Sequence, residues 1–393
     1  MFVLSAVTIG SQAFGQVNVF LDYANFQTRL NSATATAGVP SFTLDETQTI
    51  QSNILNYLNT AFNGYLVNFS ATNPGGTFET LTFGLTGSGF GLADRIDFRN
   101  SVANDVARVF TANFSPFLNP ADPRSLQISS LSNSLGGTAS HEVGHNLGLE
   151  HRDPYGIAGI ASANASGGHQ TFGMQNTHIM ATGITGLTNA QRIVPRTFSD
   201  LSHAKLQFAN GVVSNPIAPI LEQAAPHAAA ANAQSVTFSN FPSGPSAYEA
   251  GLVVQGALTT NSEFDFFAIE LSEGSFTSMQ IISSVLGGSN TINSNLALID
   301  TDGTTILSNN ANTQVSASGI NIGGTTYGND SSIYNFLAPR DGTFYLRVSA
   351  ATSTDLGAYS LLVATTAIAI PEPATFLVSA CLALVFVAAR RKS

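Results

Sequence analysis

His141-Glu-Val-Gly-His-Asn-Leu-Gly-Leu-Glu-His151 is the stretch on which the reading of this chain turns. His141 and His145 stand four residues apart, so a helix through them sends both imidazoles from one face. Gly148 can take the left-handed backbone conformation that ends a helix and reverses the chain. The reversal brings His151 toward the same point. Three nitrogen donors with a fourth position open are the donor set of catalytic zinc. Glu142 adjoins the first donor and is the candidate general base toward an attacking water. Five fixed residue types at this spacing arise by chance in roughly one in 10⁵ chains of this length. That frequency favours a metal site over a helix that merely carries histidines on a solvated face.

The run resembles the metzincin signature HExxHxxGxxH at all five fixed positions. The resemblance implies one zinc held by His141, His145 and His151, with Glu142 as base and Gly148 as the helix-ending turn. It also implies a tight turn carrying a methionine beneath the histidines. Asn176-Thr-His-Ile-Met-Ala-Thr-Gly183 supplies it at Met180, and Met174 is the rival. No tyrosine stands two residues after Met180, so water rather than a tyrosine is the expected fourth ligand. A glutamate as third ligand, as in thermolysin-like enzymes, has no candidate: after Glu150 the next glutamate is Glu222, beyond the apparent catalytic domain. Asp153 and Asp200 remain as carboxylate substitutes, at poorer spacing than His151. The residue after the third histidine sorts the branches of the family. Here it is Arg152, followed by Asp153 and Pro154, which matches no familiar branch, so no substrate preference carries over. Arg152 and Asp153 are expected near the rim of the cleft, without a role.

Composition sets the surroundings. The chain has 393 residues, room for two domains of ordinary size with processing segments. Charged residues make up 10 % and the net charge is −10, which excludes the basic surface of a nucleic-acid binder. The single cysteine, Cys381, rules out an internal disulfide and lies far from any pro-segment that could cap a metal.

Both ends read as processing segments. Residues 1–15 are apolar and finish at Ala13-Phe-Gly15, a small-x-small site, without the usual positive start, and are expected to be a truncated signal peptide. Near the other end, Pro371-Glu-Pro373 precedes an apolar run from Ala374 to Ala389 and then Arg390-Arg-Lys392. Residues 370–393 resemble the PEP-CTERM sorting tail of Gram-negative bacteria, which implies an exosortase-type membrane enzyme as partner. The basic residues would keep this end cytoplasmic while the rest lies outside the inner membrane. A plain tail anchor is the alternative.

Between the ends, residues 16–213 alternate helical and strand patterns. Ile50, Ile54, Leu55, Leu58 and Phe62 repeat at helical spacing within Asp45–Tyr65. Strands are expected at 17–23, 65–70 and 78–85, Leu126–Leu131 precedes the zinc helix, and a helix is expected at Phe198–Phe208. The expected fold is α+β and metzincin-like: a mixed sheet, the zinc helix, the methionine turn and a C-terminal helix. Residues 214–234, rich in Ala and Pro, read as a linker. Residues 235–366 read as short strands between Gly/Asn/Asp turns, an all-β sandwich. Its strands at 265–271 and 357–363 resemble those of bacterial pre-peptidase C-terminal domains, which implies company with secreted proteases and polysaccharide matrix or calcium as ligands. Asp300 and Asp302 are the calcium candidates, against a plain hairpin turn.

The expectation is therefore an exported or surface-associated zinc metalloendopeptidase acting on proteins or peptides. The alternative is an adhesive protein of the biofilm matrix whose protease-like domain only binds.

Overall fold

A computed structural model describes residues 15–366, apart from 158–176, 184–185, 225, 243, 245, 261, 284–291, 311–320, 323–324, 327–329 and 353–354. The expected signal segment through residue 14, Met174, Cys381 and the expected sorting tail lie outside the described residues. Among the described residues, no helix is long and apolar enough to cross a membrane. The architecture is mixed α/β, with several sheets and few helices.

The N-terminal half begins with β1 (Val17–Asp22), α1 (Phe26–Ala37), α2 (Leu44–Ala61), β2 (Val67–Ser70) and β3 (Glu79–Thr82). It continues with β4 (Gly91–Ala93), β5 (Val106–Val109), α3 (Arg124–Asn146), α4 (Asn189–Arg192) and α5 (Asp200–Leu206). The sheet order is β2-β1-β3-β5-β4. The first four of these strands are parallel and β4 closes the edge antiparallel to β5. β1 buries every second residue, Val17, Val19 and Leu21, the period-two signature of a strand with one face in the core. α2 buries Ile50, Ile54 and Leu58 at helical spacing. Its start is fixed by a capping box: the Thr43 side chain accepts from Glu46 N–H and the Glu46 carboxylate accepts from Thr43 N–H.

Leu126–Leu131, expected ahead of the zinc helix, forms its opening turns. Nearly every residue of α3 from Ser130 onward is buried, so amphipathic periodicity could not mark where it begins. Small residues let α2 approach it closely: a Cβ at Gly136 would stand 2.7 Å from the Tyr57 Cβ. α1 was not anticipated. It buries only Phe26, Leu30, Ala33 and Thr34, a weak stripe among small and polar residues.

The C-terminal half is built of strands. They are β6 (Ile220–Leu221), β7 (Gln234–Ser235), β8 (Ser239–Asn240), β9 (Ala250–Leu258), β10 (Phe264–Leu271), β11 (Phe276–Ile282) and β12 (Ser294–Ile299). There follow β13 (Ile306–Asn310), β14 (Asn321–Ile322), β15 (Thr325–Thr326), β16 (Ser332–Leu337), β17 (Gly342–Ala350) and β18 (Gly357–Thr365). One sheet runs β13-β12-β17-β10-β7 and the other β16-β11-β18-β9-β6, with β8 beside β9. The two sheets share one apolar cluster that includes Val254, Phe267, Met279, Leu298, Leu346 and Leu361, a sandwich-like arrangement. Within the stretch expected as a linker, β6 pairs with β9, and Gln234, its last residue, pairs with Phe267 of β10.

Between the halves, an apolar cluster joins Phe98, Leu201 and Phe208 to Tyr248, Tyr334 and Leu362. Beside it lies a group of charged side chains withdrawn from water: Glu150, Arg152, Asp153, Lys205 and Asp330. Arg152, expected at a solvent-facing rim, is 3 % exposed. Its Nη2 pairs with Glu150 at 2.9 Å and donates to the Ile281 carbonyl at 2.8 Å. Its Nη1 donates to the Asp330 carbonyl and the Ser332 hydroxyl, both at 3.0 Å. Lys205 Nζ contacts Glu150 and, at 2.6 Å, Asp153. Burial alone would raise Glu150, but Arg152 and Lys205 beside it hold its carboxyl below the usual range. Burial raises Asp153, a rise that Lys205 partly offsets. The correction to the expected rim position has a plain cause: a guanidinium leaves water only where fixed acceptors surround it, and β11 and the segment entering β16 supply them.

Arg152→Met should therefore cost about 3–5 kcal/mol, because Glu150 and Asp330 would keep buried charge with fewer counter-charges. Urea unfolding of the full chain measures this, and a loss below ~1 kcal/mol would show that the group contributes little to holding the halves together.

Candidate metal centre

α3 ends where a left-handed residue is required. Gly148 has φ +93°, its N–H reaches the His145 carbonyl at 2.9 Å, and Leu149 N–H reaches back to the Gly144 carbonyl at 2.9 Å. A Cβ at Gly148 would stand 2.6 Å from the Phe98 Cα, so backbone conformation and space both demand glycine there. The reversal returns the chain over the helix end and sets His151 opposite His141 and His145.

The three Nε2 atoms converge. His141 and His151 stand 2.9 Å apart, His145 and His151 3.0 Å, and His141 and His145 3.1 Å. Ring nitrogens around a tetrahedral zinc with bonds of ~2.0–2.1 Å would be about 3.3–3.4 Å apart, so the donor triangle matches to within a few tenths of an ångström. The tautomers follow from the outer contacts. His141 Nδ1 faces the Ile179 carbonyl at 2.8 Å and His145 Nδ1 faces the Leu149 carbonyl at 2.7 Å. A carbonyl only accepts, so each Nδ1 carries the proton and each Nε2 offers a lone pair. Lone pairs aimed at one another repel, and a cation among them removes the conflict. Burial and the neighbouring imidazoles push His141 well below its ordinary pKa, and burial first pushes His151 down likewise. Burial takes His145 to about 4. The imidazoles are thus neutral near pH 7, the state in which histidine binds a metal. The residues present fit zinc.

Met180 lies beneath this group, fully buried. A Cβ at Gly144 would stand 2.9 Å from the Met180 Sδ, so the helix glycine and the methionine need each other. Arg196 braces the same turn, its Nη1 donating to the His178 and Ile179 carbonyls at 3.0 and 3.2 Å. The turn thereby holds the carbonyl that orients His141.

Glu142 lies against the edge strand β4. It accepts from the Ala93 backbone N–H, and a Cβ at Gly91 would stand 2.4 Å from Glu142 Oε1. Burial raises its carboxyl to about 8, a rise moderated by Ala93 and by Arg192. His141, Glu142 and His151 open together on a cleft of about 180 Å³, whose other walls include Phe90, Gly91, Thr182, Arg192 and Arg196. Neutral nitrogen donors beside a buried carboxyl in an open cleft can bind a divalent cation and move a proton at one point.

All of the expected site residues meet here: His141, Glu142, His145 and His151 in the centre, Gly148 at the turn, Met180 below. Sequence reasoning missed Gly91, Arg192 and Arg196, whose positions depend on which strand and which short helix the cleft borrows. Asp200 stays away, bound to the backbone of Ala247 at 2.7 Å. At the calcium candidates, Asp302 accepts from the Thr304 and Thr305 backbone at 2.8 and 2.7 Å, and Asp300 pairs with Arg340, contacts that build a hairpin turn. A second set of three converging donors is Glu222, His227 and Asp265, with His227 Nε2 at 3.3 and 3.7 Å from the two carboxylates and the Tyr359 hydroxyl donating to Asp265 at 2.7 Å. Glu222 and His227 lie on the stretch after β6 and Asp265 on β10, at no motif spacing.

No family model matches the chain. No curated protein matches it either. Among solved structures, the pre-peptidase C-terminal domain of a collagenase from Bacillus anthracis is a weak neighbour, at 16 % identity and TM-score 0.22, covering 33 % of this chain and 93 % of that one. The periplasmic inhibitor of g-type lysozyme, PliG, from Aeromonas hydrophila aligns at 12 % identity and TM-score 0.20, over 38 % of this chain and 100 % of its own. Its counterpart from Salmonella Typhimurium aligns at 14 % identity and TM-score 0.20, over 34 % of this chain and 98 % of its own. At these scores the likenesses assign neither fold nor function.

Proposed function

We propose that this chain is a zinc-dependent endopeptidase of metzincin type, with His141, His145 and His151 as the metal ligands and Glu142 as the general base. One observation carries the reading: three imidazole Nε2 atoms within 3.1 Å of one another, beside a buried carboxyl in an open cleft. The finer assignment rests on the five signature positions and on Met180 packed beneath Gly144. Zinc bound there would supply Lewis acidity toward a scissile carbonyl and toward water. Glu142 would take the proton of the attacking water and return it to the leaving nitrogen. Among the described residues β4 pairs only with β5, so its outer edge can take an extended peptide as an added strand beside Glu142. The proposal includes export, resting on Pro371-Glu-Pro373 and the basic end that follows the apolar run.

Glu142→Ala should keep stoichiometric zinc and lose peptide hydrolysis by at least ~10²-fold. Metal analysis together with a casein-type assay decides it, and near wild-type turnover removes Glu142 from the mechanism.

His151→Ala should weaken zinc binding by at least ~10²-fold in competition with a chelator. Unchanged affinity would transfer the third position to another group and end the metzincin assignment.

Acid should destabilise the metal-free fold. His145 is held at about 4 in the folded chain against 6.5 when free, so the unfolded chain gains protons first as pH falls. The stability this group confers is complete above pH 6.5 and is lost progressively down to about pH 4. Melting curves of the metal-free chain across that window should show a steady fall in Tm. A flat profile would mean that the histidine cluster is not buried and neutral in solution.

A further inference from the structure

Arg192 ends α4, half-buried on the wall of the metal cleft, with its guanidinium 5.2 Å from the centre of the Phe90 ring. None of the ion pairs among the described residues includes it. Its carboxylate neighbour across the cleft is Glu142, whose charge acts on it without forming one of those pairs. The other cation of the cleft is differently employed: Arg196 gives its Nη1 to the His178 and Ile179 carbonyls, and a Cβ at Gly137 would stand 2.6 Å from its Nη2. The ionisable lining of the cleft is then the imidazoles of His141 and His151, Glu142 and two arginines, and of the two arginines Arg192 has no fixed acceptor among the described residues. A guanidinium partly stripped of water, stacked by an aromatic ring and facing a cleft, is a fork for a planar anion.

Resting on the peptidase reading, we propose that Arg192 is a specificity-determining residue that selects substrates with a carboxylate side chain, Asp or Glu, within one or two residues of the scissile bond. The chain's net charge of −10 disfavours acidic peptides at long range, so the preference is local and should strengthen relative to neutral peptides as salt screens the rest of the surface. Hydrogen bonds to an ionised partner in such a cleft support a discrimination of roughly 10- to 100-fold between Glu and Gln at the responsive position.

The test uses the full, zinc-loaded chain and matched peptides that differ only in Glu, Gln or Lys at each position flanking the cleaved bond. The readout is the ratio of kcat/KM values, which a purely structural role for Arg192 would not move. The wild type should favour Glu at one position, Arg192→Gln should level the ratio, and Arg192→Glu should turn it toward Lys, with melting curves showing all three proteins folded. Hydrolysis with a Glu/Gln ratio near one, or a ratio that survives Arg192→Gln, overturns the assignment and leaves the peptidase reading intact. Failure to cleave any peptide instead defeats the peptidase reading. The same labelled peptides, followed by fluorescence anisotropy, then decide the subsite: Glu-selective binding abolished by Arg192→Gln sustains it, and binding indifferent to the substitution overturns it.

Discussion

Five charged side chains withdrawn from water between the two halves of the chain constrain everything around them. Glu150, Arg152, Asp153, Lys205 and Asp330 can lie there only because each is paired with opposite charge or with fixed backbone groups. Removing such groups from water costs several kcal/mol apiece, and good geometry alone offsets the loss. Glu150 and Arg152 flank His151 in sequence, so the group that joins the halves also anchors the segment carrying the third imidazole. Lys205 brings α5 into the same arrangement, and Ile281, Asp330 and Ser332 bring the strands. The candidate metal centre therefore rests on a loop gripped from both sides, and the sandwich-like half is part of its support.

The centre itself is built against its own electrostatics. The lone pairs of His141 and His145 point at one another and at the His151 Nε2, with carbonyls of Ile179 and Leu149 fixing the two tautomers. Those carbonyls are in turn held by the Met180 turn with Arg196 and by the reversal at Gly148. Each outer contact narrows the freedom of the next inner group, which is how a site is held ready before a cation arrives.

The same logic extends to the cleft. Glu142 leans on a strand edge that only glycine at position 91 can bring so close. Glu142 and the half-buried Arg192 line one small volume, so the cleft sets a carboxyl and a guanidinium side by side.

How much of this was legible beforehand depends on whether an interaction is local in the chain. His141, Glu142, His145, Gly148 and His151 lie within eleven residues, where helical geometry and one left-handed turn decide where side chains go, so spacing alone located the centre. Met180 was legible through its turn, and β10, β12, β17 and β18 through alternation and turn residues. The burial of Arg152 was not, because the acceptors that make it possible lie about 130 to 180 residues away on strands no local pattern ties to it, and that of Asp153 depends on Lys205 of α5. The seating of 220–221 and 234–235 on the two sheets was hidden likewise, since short Ala/Pro-rich pieces gain order from a partner edge and not from their own propensity. Gly91 and Arg192 became site residues only when the sheet order placed β4 at the edge and α4 at the wall. The amino-acid sequence by itself determined the donor set and its turn, because neighbours in the chain decide those. Tertiary structure alone decided what grips the donors and what lines the cleft, because burial and charge pairing depend on groups that only folding brings together.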